Sequence, residues 1–209
     1  MIGIVDYGRG NLRSVEKALE KVGHEARIMG TPQELEEVNG LILPGVGAFA
    51  DAMQALKEGE WIKPLLRFAA SGKPFLGICL GMQVLFEVGE EHGEHVGLGL
   101  LAGRVVKFPP GKKVPHMGWN SLWIKQSSPL LEGIPDQSYF YFVHSYYAVP
   151  AESRDIIAAS DYGIEFPAVV GKKNVWGAQF HPEKSSPWGL QLLTNFGKWV
   201  SEGETLSGY

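Results

Sequence analysis

Cys79 is the only cysteine in the chain, and it sits in Gly77-Ile78-Cys79-Leu80-Gly81. The apolar run Pro74 to Ile78 comes before it, and a helical pattern begins near Leu80. The thiol is therefore expected where a strand turns into a helix, as in a nucleophile elbow with sulfur in place of hydroxyl. Such a turn is tight, and a glycine two residues to either side lets neighbouring backbone approach without a Cβ clash. The start of a helix favours thiolate over thiol. It also leaves the N–H of Leu80 free to meet an oxyanion. A lone cysteine is more often a small buried hydrophobe. The glycines and the strand-to-helix position weigh for chemistry instead.

A thiol nucleophile needs a base, and the base needs a third group to orient it. Of the six histidines, His181 ends the strand-like run Val175 to Phe180 and is followed by Pro182 and Glu183. Pro182 biases His181 toward an extended backbone, in which residues two apart share a side. Glu183 is then placed to accept an imidazole N–H. Taken alone, the pair also suits a strand-end histidine followed by a helix-start carboxylate. A metal site is disfavoured by the single cysteine and by the absence of CxxC and HExxH patterns. Gly8-Arg9-Gly10 lacks the third glycine of a dinucleotide loop, because Arg13 occupies that position. Pro44-Gly45-Val46-Gly47 offers a flexible backbone able to present an N–H to the same reaction, although it also suits a plain strand-to-helix turn.

The elements that must hold these groups alternate in the first third of the chain. Strands are expected at Ile2–Val5, Glu25–Met29, Gly40–Leu43 and Pro74–Ile78. Helices are expected after Asn11 as N-cap, after Thr31-Pro32, over about 48–57 and 61–70, and from Leu80. This alternation predicts a largely parallel sheet with helices on both faces. Stretches 103–108, 119–125, 139–149, 155–160, 167–170 and 174–180 are aromatic or β-branched and read as added, partly antiparallel strands. Ser185-Ser186-Pro187 is expected to cap a last helix, and 201–209 to form a polar, frayed tail.

Composition frames the reading. The chain has 209 residues, 44% of them hydrophobic and 20% charged, with 19 Lys+Arg against 23 Asp+Glu for a net charge of -4. That length predicts a single domain over 1–209, with enough core to need no disulfide. The mildly acidic, mixed charge argues against nucleic acid and anionic membranes as partners. No run approaches the roughly 20 apolar residues of a membrane span, and the start lacks signal-peptide character. A cytoplasmic location is the expectation.

Pro44-Gly45-Val46-Gly47, Gly77 to Gln83 and Gln179-Phe180-His181-Pro182-Glu183-Lys184 together resemble the class I, triad-type glutamine amidotransferases, in that family's order. The resemblance implies a flavodoxin-like α/β fold that hydrolyses glutamine to glutamate and ammonia without a cofactor. Carried over, Cys79 is the nucleophile, His181 the base and acid, and Glu183 its orienter. Gln83, one helical turn beyond Cys79, would help hold glutamine; otherwise it is an exposed helix residue. Asp6 to Leu12, Pro115 to Asn120 and Tyr141 to Tyr146 further resemble the branch that serves a separate (β/α)8-barrel cyclase subunit. That branch makes imidazole glycerol phosphate, for histidine, and an aminoimidazole carboxamide ribotide. By the same resemblance Glu91, His144, Ser145 and Tyr146 hold glutamine. Asn11, Pro115, Trp119 and Tyr141 lie toward the partner, and Val46 and Gly47 complete the oxyanion hole with Leu80 once a peptide reorients. The alternatives are core packing for Trp119 and Tyr141, and a solvated acidic face for Glu91. For the whole chain they are a glutaminase serving another synthase, a non-catalytic scaffold on the same fold, or a free-standing cysteine hydrolase.

Overall fold

The computed structural model describes residues 1–185 and 187–202. Its parallel strands are short: β1 (Ile2–Val5), β3 (Gly40–Leu43) and β4 (Phe75–Ile78) are buried on both faces, whereas β2 (Ala26–Met29), at the sheet edge, is only half-buried. Between them lie α1 (Leu12–Lys21), α2 (Phe49–Glu58) and α3 (Ile62–Ala70). Alternate strand residues enter opposite cores. Ile42, Leu76 and Ile78 pack with Val15 and Leu19 of α1, whereas Leu41, Leu43 and Phe75 pack with Leu56 and Leu65 of α2 and α3. Asn11 stands at the N-cap of α1, but its side chain makes no capping bond. Thr31 and Glu34 close a capping box on a 3-10 turn at Pro32–Glu37.

After β4 the chain forms a single helical turn, α4 (Leu80–Gln83), shorter than the pattern implied. The amides of Leu98, Gly99 and Leu100 capture the carbonyls of Val84, Phe86 and Leu85, drawing the chain out of the helix. Two strands that sequence patterning did not foresee follow, β5 (Phe86–Gly89) and β6 (His95–Val96). Then come β7 (Leu101–Lys107), β8 (His116–Ser121), β9 (Trp123–Ile124), β10 (Tyr139–His144) and β11 (Tyr146–Pro150). The chain finishes with β12 (Ile156–Asp161), β13 (Glu165–Lys172), β14 (Val175–Ala178) and α5 (Trp188–Glu202). The expected single strands at 119–125 and 139–149 are therefore each divided. Ser145 separates β10 from β11, which lie in different sheets.

The main sheet runs β2-β1-β3-β4-β14-β13-β12-β9. Its pairs from β2 to β14 are parallel, and those from β14 to β9 antiparallel. β8 and β10 form a two-stranded ribbon, and β11-β7-β5-β6 a third sheet. The parallel arrangement brings the C-terminal ends of β3, β4 and β14 to one edge, where the site lies. Of the expected cap before α5, Ser186 lies outside the described residues. Of the expected frayed tail, Ser201 and Glu202 instead complete α5, and 203–209 lie outside the described residues. No helix among the described residues is long and apolar enough to cross a membrane.

Candidate active site

Cys79 takes φ 55° and ψ −113°, a backbone state that L-residues rarely adopt. Its N–H bonds to the Ala178 carbonyl at 2.8 Å, and its carbonyl accepts the Gln83 N–H at 3.2 Å, so β14 and α4 hold the strained residue from both sides. The flanking glycines are required by space. A Cβ on Gly81 would lie 1.8 Å from the Leu43 carbonyl oxygen, and one on Gly77 would lie 2.7 Å from that of Gly81. The Leu80 N–H stands at the first position of α4, where no carbonyl of its own helix reaches it.

His181 follows β14 by three residues and is almost fully buried. Its Nδ1 lies 2.8 Å from Glu183 Oε1. Glu183 arrives there on a 3-10 turn, Pro182–Lys184, and not by the extended alternation expected from Pro182. Ser185 clamps this turn to β10: its hydroxyl donates to the His181 carbonyl at 2.7 Å and accepts the Tyr141 N–H at 2.9 Å. The His181 Nε2 is buried and unbonded among the described residues, on the cleft that also holds Cys79. Burial pushes the imidazole pKa down, but interactions with the Cys79 thiol and the Glu183 carboxylate outweigh it. The net result is a pKa raised to about 10. The Glu183 contact fixes the ring orientation, with Nε2 facing the Cys79 cleft.

The cleft has a volume of about 290 Å³. Val46, Gly47, Cys79, Leu80, Gln83, Glu91, His144, Ser145, Tyr146 and His181 all line it, and Pro115 closes one side. Glu183 stands behind His181. Gln83 is buried, not exposed, and its amide nitrogen donates to the Tyr146 carbonyl at 2.9 Å. Glu91 is more than a solvated acid, since it accepts the Phe49 N–H at the start of α2 at 2.9 Å. His144 forms part of the wall, yet both its ring nitrogens are committed to protein partners, Tyr146 and His116. Val46 is exposed, and Gly47 sits at φ +99°. Trp119 is 53% exposed, so it is no core aromatic; its ring meets Tyr141 edge-on across the β8–β10 ribbon. Asn11 is exposed at the head of α1. Sequence reasoning missed Gln179 and His116, both buried, and the clamp role of Ser185. The one available signal was that His116 alternates inward from Met117 on an aromatic-rich strand. A larger hollow of about 650 Å³ beside α5, lined by Ser128, Asn195 and Trp199 among others, has neither cysteine nor histidine among its described lining residues.

The family model for glutamine amidotransferase class-I matches residues 3–199. The chain belongs to the class I glutamine amidotransferases. Among relatives of this amidotransferase, imidazole glycerol phosphate synthase subunit HisH of Desulfitobacterium hafniense (strain DSM 10664 / DCB-2) is 69% identical over 209 residues. That match covers 100% of this chain and 99% of the relative. The HisH subunit of Caldanaerobacter subterraneus subsp. tengcongensis is 52% identical over 200 residues, covering 96% and 98% of the two chains. Among solved structures, a glutamine amidotransferase superimposes with a TM-score of 0.76 at 21% identity, covering 96% of this chain and 98% of the other. PurLQS of Thermotoga maritima gives the same TM-score at 20% identity, covering 96% and 97%. At those identities the structural matches speak for the fold.

Proposed function

We propose that this amidotransferase is the glutaminase subunit of an imidazole glycerol phosphate synthase, acting as a single domain in the cytoplasm and passing ammonia to a (β/α)8-barrel cyclase subunit. The observation that carries the chemistry is the 2.8 Å contact between Glu183 and His181 Nδ1, which leaves Nε2 free in the Cys79 cleft. His181 takes the thiol proton, and the Cys79 sulfur attacks the side-chain carbonyl of glutamine. The tetrahedral oxyanion meets the Leu80 N–H and an N–H of the Val46-Gly47 segment. His181 returns the proton to the departing ammonia, leaving a glutamyl thioester. It then deprotonates water, which attacks the thioester and releases glutamate and the thiol.

Partner coupling is supported by one face of the β8–β10 ribbon. Met117, Trp119 and Tyr139 are exposed there, beside the cleft that Pro115 closes. Such an exposed apolar face marks an interaction surface. Asn11 and Tyr141 are assigned to the same contact. An oxyanion donor is worth ~3–4 kcal/mol, so withholding the Val46-Gly47 N–H until the cyclase is loaded would cut turnover roughly 10²–10³-fold. The test is glutamate release by the chain alone, with cyclase, and with cyclase plus its nucleotide ligand, using Cys79→Ala as control. Low activity alone that rises sharply in the loaded complex and vanishes in the variant is expected. Equal activity in all three states would refute the gating and the cyclase assignment, and no activity in any state would refute the glutaminase reading.

A further inference from the structure

One backbone carbonyl decides the orientation of the buried polar side chains around the nucleophile. The Tyr146 carbonyl can only accept, and it receives Gln83 Nε2 at 2.9 Å and His144 Nδ1 at 2.8 Å. Two chains of hydrogen bonds leave it. Toward the sulfur, Gln83 Nε2 spends its second proton on Gln179 Oε1 at 3.1 Å. That turns Gln179 Nε2 to Cys79 Sγ at 3.9 Å, and leaves Gln83 Oε1 as the atom to meet a ligand. Away from the sulfur, His144 donates from Nδ1, so its Nε2 must accept from His116 Nδ1 at 3.1 Å. His116 Nε2 then accepts from Asn120 Nδ2 at 3.3 Å, and the other proton of that amide goes to the Asp161 carbonyl at 2.7 Å. Every link has one consistent direction. His116 and His144 are cross-strand partners on β8 and β10. The His116 ring, stacked 4.2 Å from Tyr162, lines no part of the cleft.

We propose that His116 is a positioning residue for this site: by donating to His144 it fixes the Tyr146 carbonyl, and through it the amides of Gln83 and Gln179, so that Gln179 presents its N–H to the Cys79 sulfur. Both imidazoles stay neutral because burial pushes them down, His116 to about 4 and His144 to about 3. An N–H aimed at the sulfur stabilises thiolate over thiol. Without the His116 donor, His144 is free to exchange tautomers and withdraw its proton from Tyr146. A flipped Gln83 would then set oxygen against oxygen. The effect on glutamine rests on the glutaminase reading above; the effect on the sulfur does not.

His116→Phe keeps the stacked ring and removes both nitrogens, whereas His116→Asn returns an amide N–H near the place of Nδ1. Two quantities are measured: the rate of Cys79 alkylation by iodoacetamide at neutral pH, and kcat and KM for glutamine in the cyclase complex. One hydrogen bond to a charged group, partly offset by nucleophilicity, predicts alkylation about three- to tenfold slower in the Phe variant. KM should rise about tenfold with a smaller change in kcat, and the Asn variant should recover most of both effects. Should His116→Phe fail to fold, Gln179→Met removes the N–H at the sulfur while keeping an apolar chain of similar length, and should slow alkylation alike. Wild-type alkylation and KM in His116→Phe, wild-type alkylation in Gln179→Met, or an Asn variant as slow as Phe would overturn the proposal. Slowed alkylation in a chain that hydrolyses no glutamine would support the positioning role while refuting the glutaminase reading.

Discussion

His181 and His144 line the same cleft and are buried to nearly the same degree, yet they are held in opposite charge states. Burial pushes both imidazoles down. At His181 the thiol and a carboxylate reverse it, to about 10. At His144 the only favourable partner is the Tyr146 carbonyl, and nearby His116 and His181 oppose a charge, so burial prevails and the group falls to about 3. Depth therefore does not decide whether a histidine is charged; the chemistry of its hydrogen-bond partner does. On the proposed reading, one histidine moves a proton and the other holds a carbonyl still.

The largest effect should come from erasing that difference. Glu183→Gln keeps the shape of the His181 contact but removes its charge, so that only Cys79 opposes burial and the imidazole pKa falls toward the direction seen at His144. Loss of an orienting carboxylate of this kind costs roughly 10²–10⁴-fold in turnover. The expected result is a fall of that size in kcat for glutamate release with little change in KM. A fall below tenfold would mean that Glu183 does not set the state of His181.

The two settings also predict opposite limbs of a stability profile. His181 is raised above its ordinary 6.5, so its stabilising contribution is complete below about that pH and is lost as pH rises through about 10. His116 and His144 are lowered, so their contribution is complete above about 6.5 and is lost as pH falls through about 4 and 3. Urea midpoints measured across pH should trace a dome. Glu183→Gln should shrink its alkaline limb and leave the acid limb in place. An unchanged alkaline limb would assign that stability elsewhere.

Asn120→Asp approaches from the other side by giving His116 the kind of partner His181 has. A carboxylate at 3.3 Å from Nε2 should raise the His116 pKa, readable in imidazole ¹⁵N shifts. It also sets an oxygen against the Asp161 carbonyl, where an amide now donates at 2.7 Å. The expected loss is about 1–3 kcal/mol of stability at neutral pH. An unmoved His116 resonance would argue that the side chain at 120 does not contact the imidazole.

What the sequence revealed follows the same division. Cys79 was legible because an elbow demands glycines at 77 and 81 for reasons of space, and spacing is written in the chain. Gln83 came with the family resemblance, which sets it one helical turn beyond Cys79. The all-apolar runs at β1, β3 and β4 were legible because both faces of the sheet are covered. β5 and β6 were not, since long-range capture of the Val84 to Phe86 carbonyls ends α4 and no local pattern announces it. His116 and Gln179 gain their meaning from the Tyr146 carbonyl, a backbone atom that no residue type reports. The turn carrying Glu183 was anticipated in outcome and missed in geometry.

Tyr7 is the third case, a buried titratable group with neither a charge partner nor a carbonyl to hold. Its hydroxyl has no hydrogen bond among the described residues and packs against Gly45, where a Cβ would lie 2.6 Å from the oxygen. Burial and then the charge of Cys79 push its ionisation up, with Arg9 opposing, so it remains a neutral donor. An unpaired buried hydroxyl loses its hydration without compensation. Tyr7→Phe should therefore be neutral or stabilising by up to about 1 kcal/mol in urea unfolding, with glutamate release unchanged. This is the smallest of the expected effects, and its sign is the informative part. The histidine variants lose function or stability because each removes a partner, whereas this one removes a group that has none. A destabilised Tyr7→Phe, or one with reduced turnover in the loaded complex, would show that the hydroxyl finds a partner when the neighbouring Gly45-Val46 segment changes conformation.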